Sequence, residues 1–512
     1  MLDVTPSILF SPLVAVSTLV VGAILFHCLW KSHQYSHLPQ PPASSYLLGH
    51  VFDTWGSIAQ WKTRGNYPEP FLSWIKQYGG AIHLREVHVH AVLVTDPVAI
   101  QHILVSNGTN YPRKPVTMAY MRDKNLGESL SGVEGKQHDA LRKWMNPLVT
   151  VSNIKSFIGI FNSQAQLYCQ NALEPACDHK APVDLSKMLD KLMLSIVGLT
   201  VLGIDFDASP VALEAYEQSM FAISPLMLIG TFTIRGFLSF PIPGLMKRRN
   251  AKATLKRIVK QIIQDKLAAA SSEAPKDLLD MMLPHSTIDE AVAHTVTFIS
   301  GGYDTSSSSL SFVFGTLASH PKVVAVVRSE FNKVVSKHGS LSSWEAVAEL
   351  THTQAVIQVT MRLNSTSFTN FHRIAKTEDH VPMSDGSTVL IPKGTTIYMN
   401  MAAMHRNPKY WSKPEAFIPN RFVEGTPEWN ADLALRGGKP HAFHYMPFSF
   451  GNKSCIGQRF AMVEMQVIVA TLLSKYEFTP TSKTDMRQGF GGVTIRPANL
   501  EMTVRRAISP CA

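Results

Sequence analysis

What the 512-residue chain lacks narrows its class before any motif is read. It has only five cysteines, Cys28, Cys169, Cys177, Cys455 and Cys511, with no paired spacing and no C-x-x-C. That pattern gives no basis for a disulfide framework or a zinc site and points to a reducing compartment. No internal repeat is present, and beyond residue 50 no Gly/Ser-rich linker divides the chain, so one large domain is the simplest organisation. The net charge of +10 is spread without a concentrated Lys/Arg run. This argues against nucleic-acid binding and for a membrane surface or an acidic protein partner.

Acidic and basic residues are also missing from Ile8 to Trp30, 23 residues of ILFSPLVAVSTLVVGAILFHCLW. At 1.5 Å per residue this run is long enough to cross a hydrocarbon core of about 30 Å, and it reads as a transmembrane anchor over 8–30. A signal peptide would need a basic start, a shorter apolar core and a small-residue cleavage site, none of which is present. Asp3 precedes the run and Lys31 follows it, which places the remainder on the cytosolic side. Pro39, Pro41 and Pro42 make residues 31–50 a stiff, extended hinge, leaving 51–512 as the main domain.

The stretch with the most chemistry runs from Tyr445 to Leu473, YMPFSFGNKSCIGQRFAMVEMQVIVATLL. Gly451 and Gly457 punctuate a loop that carries Cys455 into an apolar helix. Glycines there let the backbone pass close to a flat ligand, and a sulfur just ahead of a helix N-terminus is favoured as thiolate. Taken alone, Cys455 reads more readily as a small buried hydrophobe, as most free cysteines are. A second notable stretch begins at Ser286 and Thr287, each followed three residues later by an acid, and runs to about His320. Within it, ISGGYDTSSSSLSF lowers helix propensity at one point. A third, Gly135 to Pro147, is helical, with His138 and Arg142 on one face at i, i+4.

Other segments read more simply. Ala81 to Thr95 alternates as a hairpin, Val183 to Asp207 is a core helix ended by Gly203, and Gly489 to Val504 is a terminal hairpin. Lys114 to Gly132 reads as a loop, either a pocket wall or ordinary surface. Ser219 to Leu245 is apolar but broken by Pro225, Gly230, Gly236, Pro241, Pro243 and Gly244, either a lid dipping into a bilayer or buried packing.

Phe448, Gly451, Cys455 and Gly457 are in register with the haem-binding signature F-x-x-G-x-R-x-C-x-G, and the chain resembles the cytochrome P450 superfamily, in particular membrane-bound fungal, basidiomycete-like biosynthetic monooxygenases. Gly301, Gly302, Asp304, Thr305 and Ser306 match the family's oxygen-side motif, and Gly135, His138 and Arg142 match a fungal G-x-x-H-x-x-x-R arrangement. The resemblance implies a mainly α fold with a small β region, preceded by one transmembrane helix, with haem b on Cys455. It implies Asp304 and Thr305 as catalytic residues for proton delivery. His138, Arg142 and Arg373 would serve the haem propionates, with Phe448, Gly451, Lys453 and Gly457 forming the rest of the haem site. It further implies an NADPH-cytochrome P450 reductase as electron donor, a lipophilic small-molecule substrate and a single-pass protein of the endoplasmic reticulum.

Two positions depart from the pattern. Lys453 stands where the family has Arg or His, keeping the charge but losing the planar fork. No E-x-x-R occurs anywhere: in QAVIQVTMRL, Arg362 is present and the glutamate position is Val359, while Arg421 in FIPNRF is the second arginine of the usual network. A buried guanidinium without its carboxylate is costly. The expected activity is oxidation of a terpenoid-type fungal secondary metabolite with dioxygen. The alternatives are a haem-binding homologue of little activity, or a non-redox haem-thiolate isomerase or dehydratase. His405, in the segment resembling HRDP, is expected to be structural, since one axial thiolate is enough.

Overall fold

The computed structural model describes residues 22, 30–219, 230–231, 234, 236–269, 275–369, 372–491 and 494–507. The expected anchor at 8–30, apart from residues 22 and 30, lies outside the described residues, as does much of 219–245. Among the described residues, no single helix is long and apolar enough to cross a membrane.

Helices dominate, and the longest is Ile288–Leu317, 30 residues or about 45 Å at 1.5 Å per residue. Of the two capping candidates Thr287 is the one used: its side chain accepts from Glu290 N, and the Glu290 side chain accepts from Thr287 N. Pro321 starts the next helix, Pro321–His338, which departs at 115°. The long helix packs against Leu185–Leu202 and Gln458–Lys475. Val197, Val296, Leu310, Val467 and Ile468 from these three helices share one core. Gly203 ends the Leu185–Leu202 helix in the left-handed region, as its position predicts.

The strands are few and short. β1 (Ala81–Glu86) and β2 (Val89–Val94) form the expected hairpin. Next come β3 (Val183–Asp184), β4 (Arg373–Ile374), β5 (Asp379–Pro382), β6 (Thr388–Ile391) and β7 (Thr396–Tyr398). The C-terminal part supplies β8 (Tyr476–Pro480), β9 (Asp485–Phe490), β10 (Ile495–Asn499) and β11 (Glu501–Arg506). β1-β2-β7-β4 is the largest sheet, with β2 and β7 parallel. Before it, the hinge is pinned, with His83 N donating to Pro39 O at 2.9 Å, while 31–33 are helical and 34–37 and 46–48 form turns.

Two expectations change. The segment 114–132 is not all loop: Pro115–Lys124 is a helix, started by Pro115 at its first position. The terminal hairpin is divided, because β10 pairs with β9 while β11 joins β8 and β3 in another sheet.

Candidate active site

The cysteine loop is folded by its own backbone. Cys455 N donates to Phe448 O at 2.9 Å, and Ser454 N donates to Gly451 O at 3.1 Å. Gly451 has φ +77°, and a Cβ there would sit 2.1 Å from Leu104 O. The glycine is required by the approach of a neighbouring backbone as well as by its conformation. Gly457 is different: its φ is −86° and nothing lies within 4 Å of an added Cβ. Phe448 packs on the main core beside Ile456 and Phe460. Cys455 retains exposed surface, yet enough protein surrounds it that burial raises its thiol, opposed by the Gly457 N–H and by Arg142.

The Gly135–Met145 helix grips this loop from one side. Arg142 Nη1 donates to Ser454 O at 2.6 Å, and Arg142 Nε donates to Asn146 Oδ1 at 2.9 Å. Asn452 Nδ2 donates to Asp139 Oδ1. Arg142 is thus bonded to the residue before the cysteine, whereas His138, one turn earlier, is buried with only Nδ1 engaged, 3.2 Å from Asp139 Oδ1.

A second cluster gathers cations around Glu134. Lys453 Nζ is 2.9 Å from Glu134 Oε2, and Arg113 N donates to Glu134 Oε1 at 2.9 Å. Arg113 also forms an antiparallel bridge with Arg373. Two buried guanidinium donors in this group have no acceptor, Arg113 Nε and Arg373 Nη1, and His138 Nε2 is a third buried ring atom without a partner. Burial, reinforced by Arg113, brings Arg373 down to about 9. Burial also lowers Lys453, against the pull of Glu134. Buried donors without partners are rare in native folds. Here they converge where a ligand bearing two carboxylates would satisfy them, which is the donor chemistry that the haem propionates require. Arg113 and Glu134 carry no sequence motif; only the bridge to Arg373 reveals them.

On the opposite helix, Thr305 Oγ1 donates to Gly301 O at 2.7 Å. Gly301 faces open space, while a Cβ on Gly302 would come within 3.1 Å of Val197 Cγ2, so the two glycines have different reasons. Asp304 is not a free carboxylate. Its Oδ1 accepts from Arg496 Nη2 and its Oδ2 from Thr494 Oγ1, each at 2.9 Å, and Arg496 also pairs with Asp190. One residue beyond Thr305, Ser306 lies against Glu464 of the Gln458–Lys475 helix. Glu464 is fully buried, and burial pushes its carboxyl well above the ordinary range. Only Ser306 works against that shift, and no hydrogen bond of full geometry joins them. Its sequence signal is one acid in an apolar helix.

Val359 is buried, and Arg362 is satisfied without it. Arg362 Nη1 donates to His405 O at 2.8 Å and to Pro414 O at 2.6 Å, and Nη2 donates to Ala416 O at 3.0 Å. Only Nε lacks a partner. The concern raised by the missing glutamate is thus corrected in part: backbone carbonyls take its place at Arg362. Arg421 has a carboxylate, Asp432, at 2.8 Å, with both side chains fully buried. His405 accepts from Met446 N through Nε2 at 2.9 Å and contacts Ser365 Oγ through Nδ1, and burial holds it neutral down to about 3. It is a structural tie to the start of the cysteine loop, as expected.

Comparison with known proteins places this arrangement. The model of the family described as Cytochrome P450 matches residues 41–504. Cytochrome P450 monooxygenase acrF of Aspergillus aculeatus is 25% identical over 411 residues, covering 75% of this chain and 81% of that protein. Cytochrome P450 monooxygenase 91 of Postia placenta is 26% identical over 496 residues, covering 87% and 88%. Cytochrome P450 3A7 of Homo sapiens is 25% identical over 445 residues, covering 82% and 83%.

Proposed function

The chain belongs to the cytochrome P450 family and is a haem-thiolate monooxygenase, and we propose that it oxidises a lipophilic small molecule of the terpenoid secondary-metabolite type. Its electrons come from an NADPH-cytochrome P450 reductase. Residues 8–30 anchor it to the endoplasmic reticulum membrane, 31–50 form the hinge and 51–512 the catalytic domain on the cytosolic side. The apolar composition of 8–30 and the likeness to fungal monooxygenases support this reading.

The observation that carries the site assignment is that Arg113 Nε and Arg373 Nη1 are buried without acceptors, with the unpartnered His138 Nε2, beside Lys453. Cys455 would hold the haem iron through its thiolate. Haem, when bound, supplies dioxygen activation, and thiolate ligation favours O–O cleavage. The chain does the rest. Arg113, His138, Arg373 and Lys453 would hold the propionates, and Arg142 fixes the loop through Ser454. Phe448, Gly451 and Gly457 shape the loop around the sulfur. The Thr305 hydroxyl, which donates to Gly301 O, offers its oxygen as an acceptor on the open face of the helix, and Asp304, held as a carboxylate by Arg496 and Thr494, stands beside it as the acidic residue of the proton path.

The test is co-expression with a reductase, with the reduced-plus-CO difference spectrum and product profiling against a panel of terpenoids. A thiolate-type spectrum with NADPH-dependent oxygenated products is the expected result. A thiolate-type spectrum without oxygenated terpenoids would overturn the substrate class, and no thiolate signature would overturn the assignment of Cys455.

A further inference from the structure

Around Trp411 three buried guanidiniums meet one fully buried carboxylate. Arg362, Arg421 and Arg436 lie 5.2, 5.8 and 5.1 Å from the centre of the Trp411 ring. Asp432 is completely buried and sits on the Pro427–Leu435 helix, far in sequence from Arg362. Its Oδ2 accepts from Arg421 Nη1 at 2.8 Å, while its Oδ1 accepts from Ser412 N at 2.7 Å and from Ser412 Oγ at 2.6 Å. Arg421 Nη2 closes the circuit on Ser412 O at 3.0 Å.

Ser412 begins the segment whose Pro414 and Ala416 carbonyls serve Arg362. Arg362 in turn binds the carbonyl of His405, whose ring accepts the N–H of Met446, the residue that leads into the cysteine loop. An unbroken path of hydrogen bonds and chain therefore runs from Asp432 through Ser412 and Arg362 to the cysteine loop. The aromatic face of Trp411 accommodates the cations, but it cannot neutralise them. Asp432 is the one carboxylate that accepts from any of the three among the described residues.

We propose that Asp432 is the relocated carboxylate of this chain: it takes over, from a different helix, the neutralising and clamping work that Val359 cannot do. It is a positioning residue, acting on the cysteine loop through Arg421, Ser412 and Arg362. The proposal needs only contacts within the chain and does not depend on which substrate is oxidised. It has a specific signature, namely that a carboxylate restored at 359, one helical turn before Arg362, should substitute for the one lost at 432.

Wild type, Asp432→Asn, Val359→Glu and the double variant are compared by apparent thermal midpoint and by haem bound per protein. Asp432→Asn is expected to lower the midpoint by on the order of 5 °C or more and to reduce haem retention, and Val359→Glu in that background is expected to recover a large part of both. In the wild-type background Val359→Glu should bring no gain. A double variant no better than Asp432→Asn alone, or an Asp432→Asn protein indistinguishable from wild type, would overturn the proposal. If Asp432→Asn yields no soluble protein, Arg421→Met with Asp432→Asn removes the stranded cation and should restore solubility; its failure would overturn the proposal as well.

Discussion

Arg142 donates from Nη1 to the carbonyl oxygen of Ser454 at 2.6 Å, joining positions 312 residues apart in the chain. The acceptor belongs to the residue immediately before Cys455, so the guanidinium fixes the peptide that carries the sulfur. A surface helix and the cysteine loop are thereby locked in register, with Asp139 and Asn452 as a second tie.

Replacing Arg142 with Met should loosen the loop without removing any ligand. A hydrogen bond from a charged donor contributes about 1.5–3 kcal/mol. The expected result is partial haem loss together with conversion of the reduced-plus-CO spectrum away from its thiolate form. Haem stoichiometry and that spectrum, measured side by side, check it; full haem content with an unchanged spectrum would show the contact to be dispensable.

Arg373 should have opposite effects in the two loading states. Without haem its guanidinium is buried with Nη1 unsatisfied, so Arg373→Met is expected to leave the haem-free protein as stable as wild type or more so. With haem, losing one charged contact should weaken retention by roughly tenfold or more. Thermal midpoints of both forms, with haem release followed during dialysis, separate these outcomes. Equal destabilisation in both forms would mean that Arg373 acts only in the fold.

Glu464 makes stability depend on pH. Burial raises its carboxyl well above the unfolded value, so the folded state holds a proton that the unfolded chain releases. Stability is then full below the unfolded pKa of about 4.5 and falls as pH rises toward the folded value, by about 1.4 kcal/mol per unit. Glu464→Gln removes that dependence. Its stability relative to wild type should rise from pH 5 to pH 8, measured by denaturant unfolding; a constant difference across that range would contradict it.

Asp304 and Thr305 should affect turnover while leaving haem in place. Asp304→Asn keeps the shape that Arg496 and Thr494 bind but removes the carboxylate from the proton path. A loss of roughly 100-fold in NADPH-dependent product is expected, with haem content and thiolate spectrum unchanged. Thr305→Ala should fall in the same class. Product formation near the wild-type rate in both variants would remove them from the proton path.

The site was legible wherever its information is local. Phe448, Gly451, Cys455 and Gly457 occupy ten consecutive positions, and a capping pair such as Thr287 and Glu290 spans a single turn. Arg113, Glu134 and Asp432 were not legible, because each acquires its meaning from a partner that only folding brings near. The Pro115–Lys124 helix was missed for a related reason: its apolar residues form no clear stripe, and tertiary packing rather than pattern holds it.

By itself the sequence determined the ligand loop, the long helix with its weak point, and the absence of the glutamate at 359. These follow from residue type and spacing, which local backbone chemistry reads directly. Tertiary structure alone decided that Arg142 serves the loop and that Asp304 is tied to Arg496. It also decided that Arg362 rests on carbonyls while Asp432 carries the charge for Arg421. Such outcomes depend on which donors and acceptors are buried together, and a buried charge takes whatever partner the packing brings within hydrogen-bond distance.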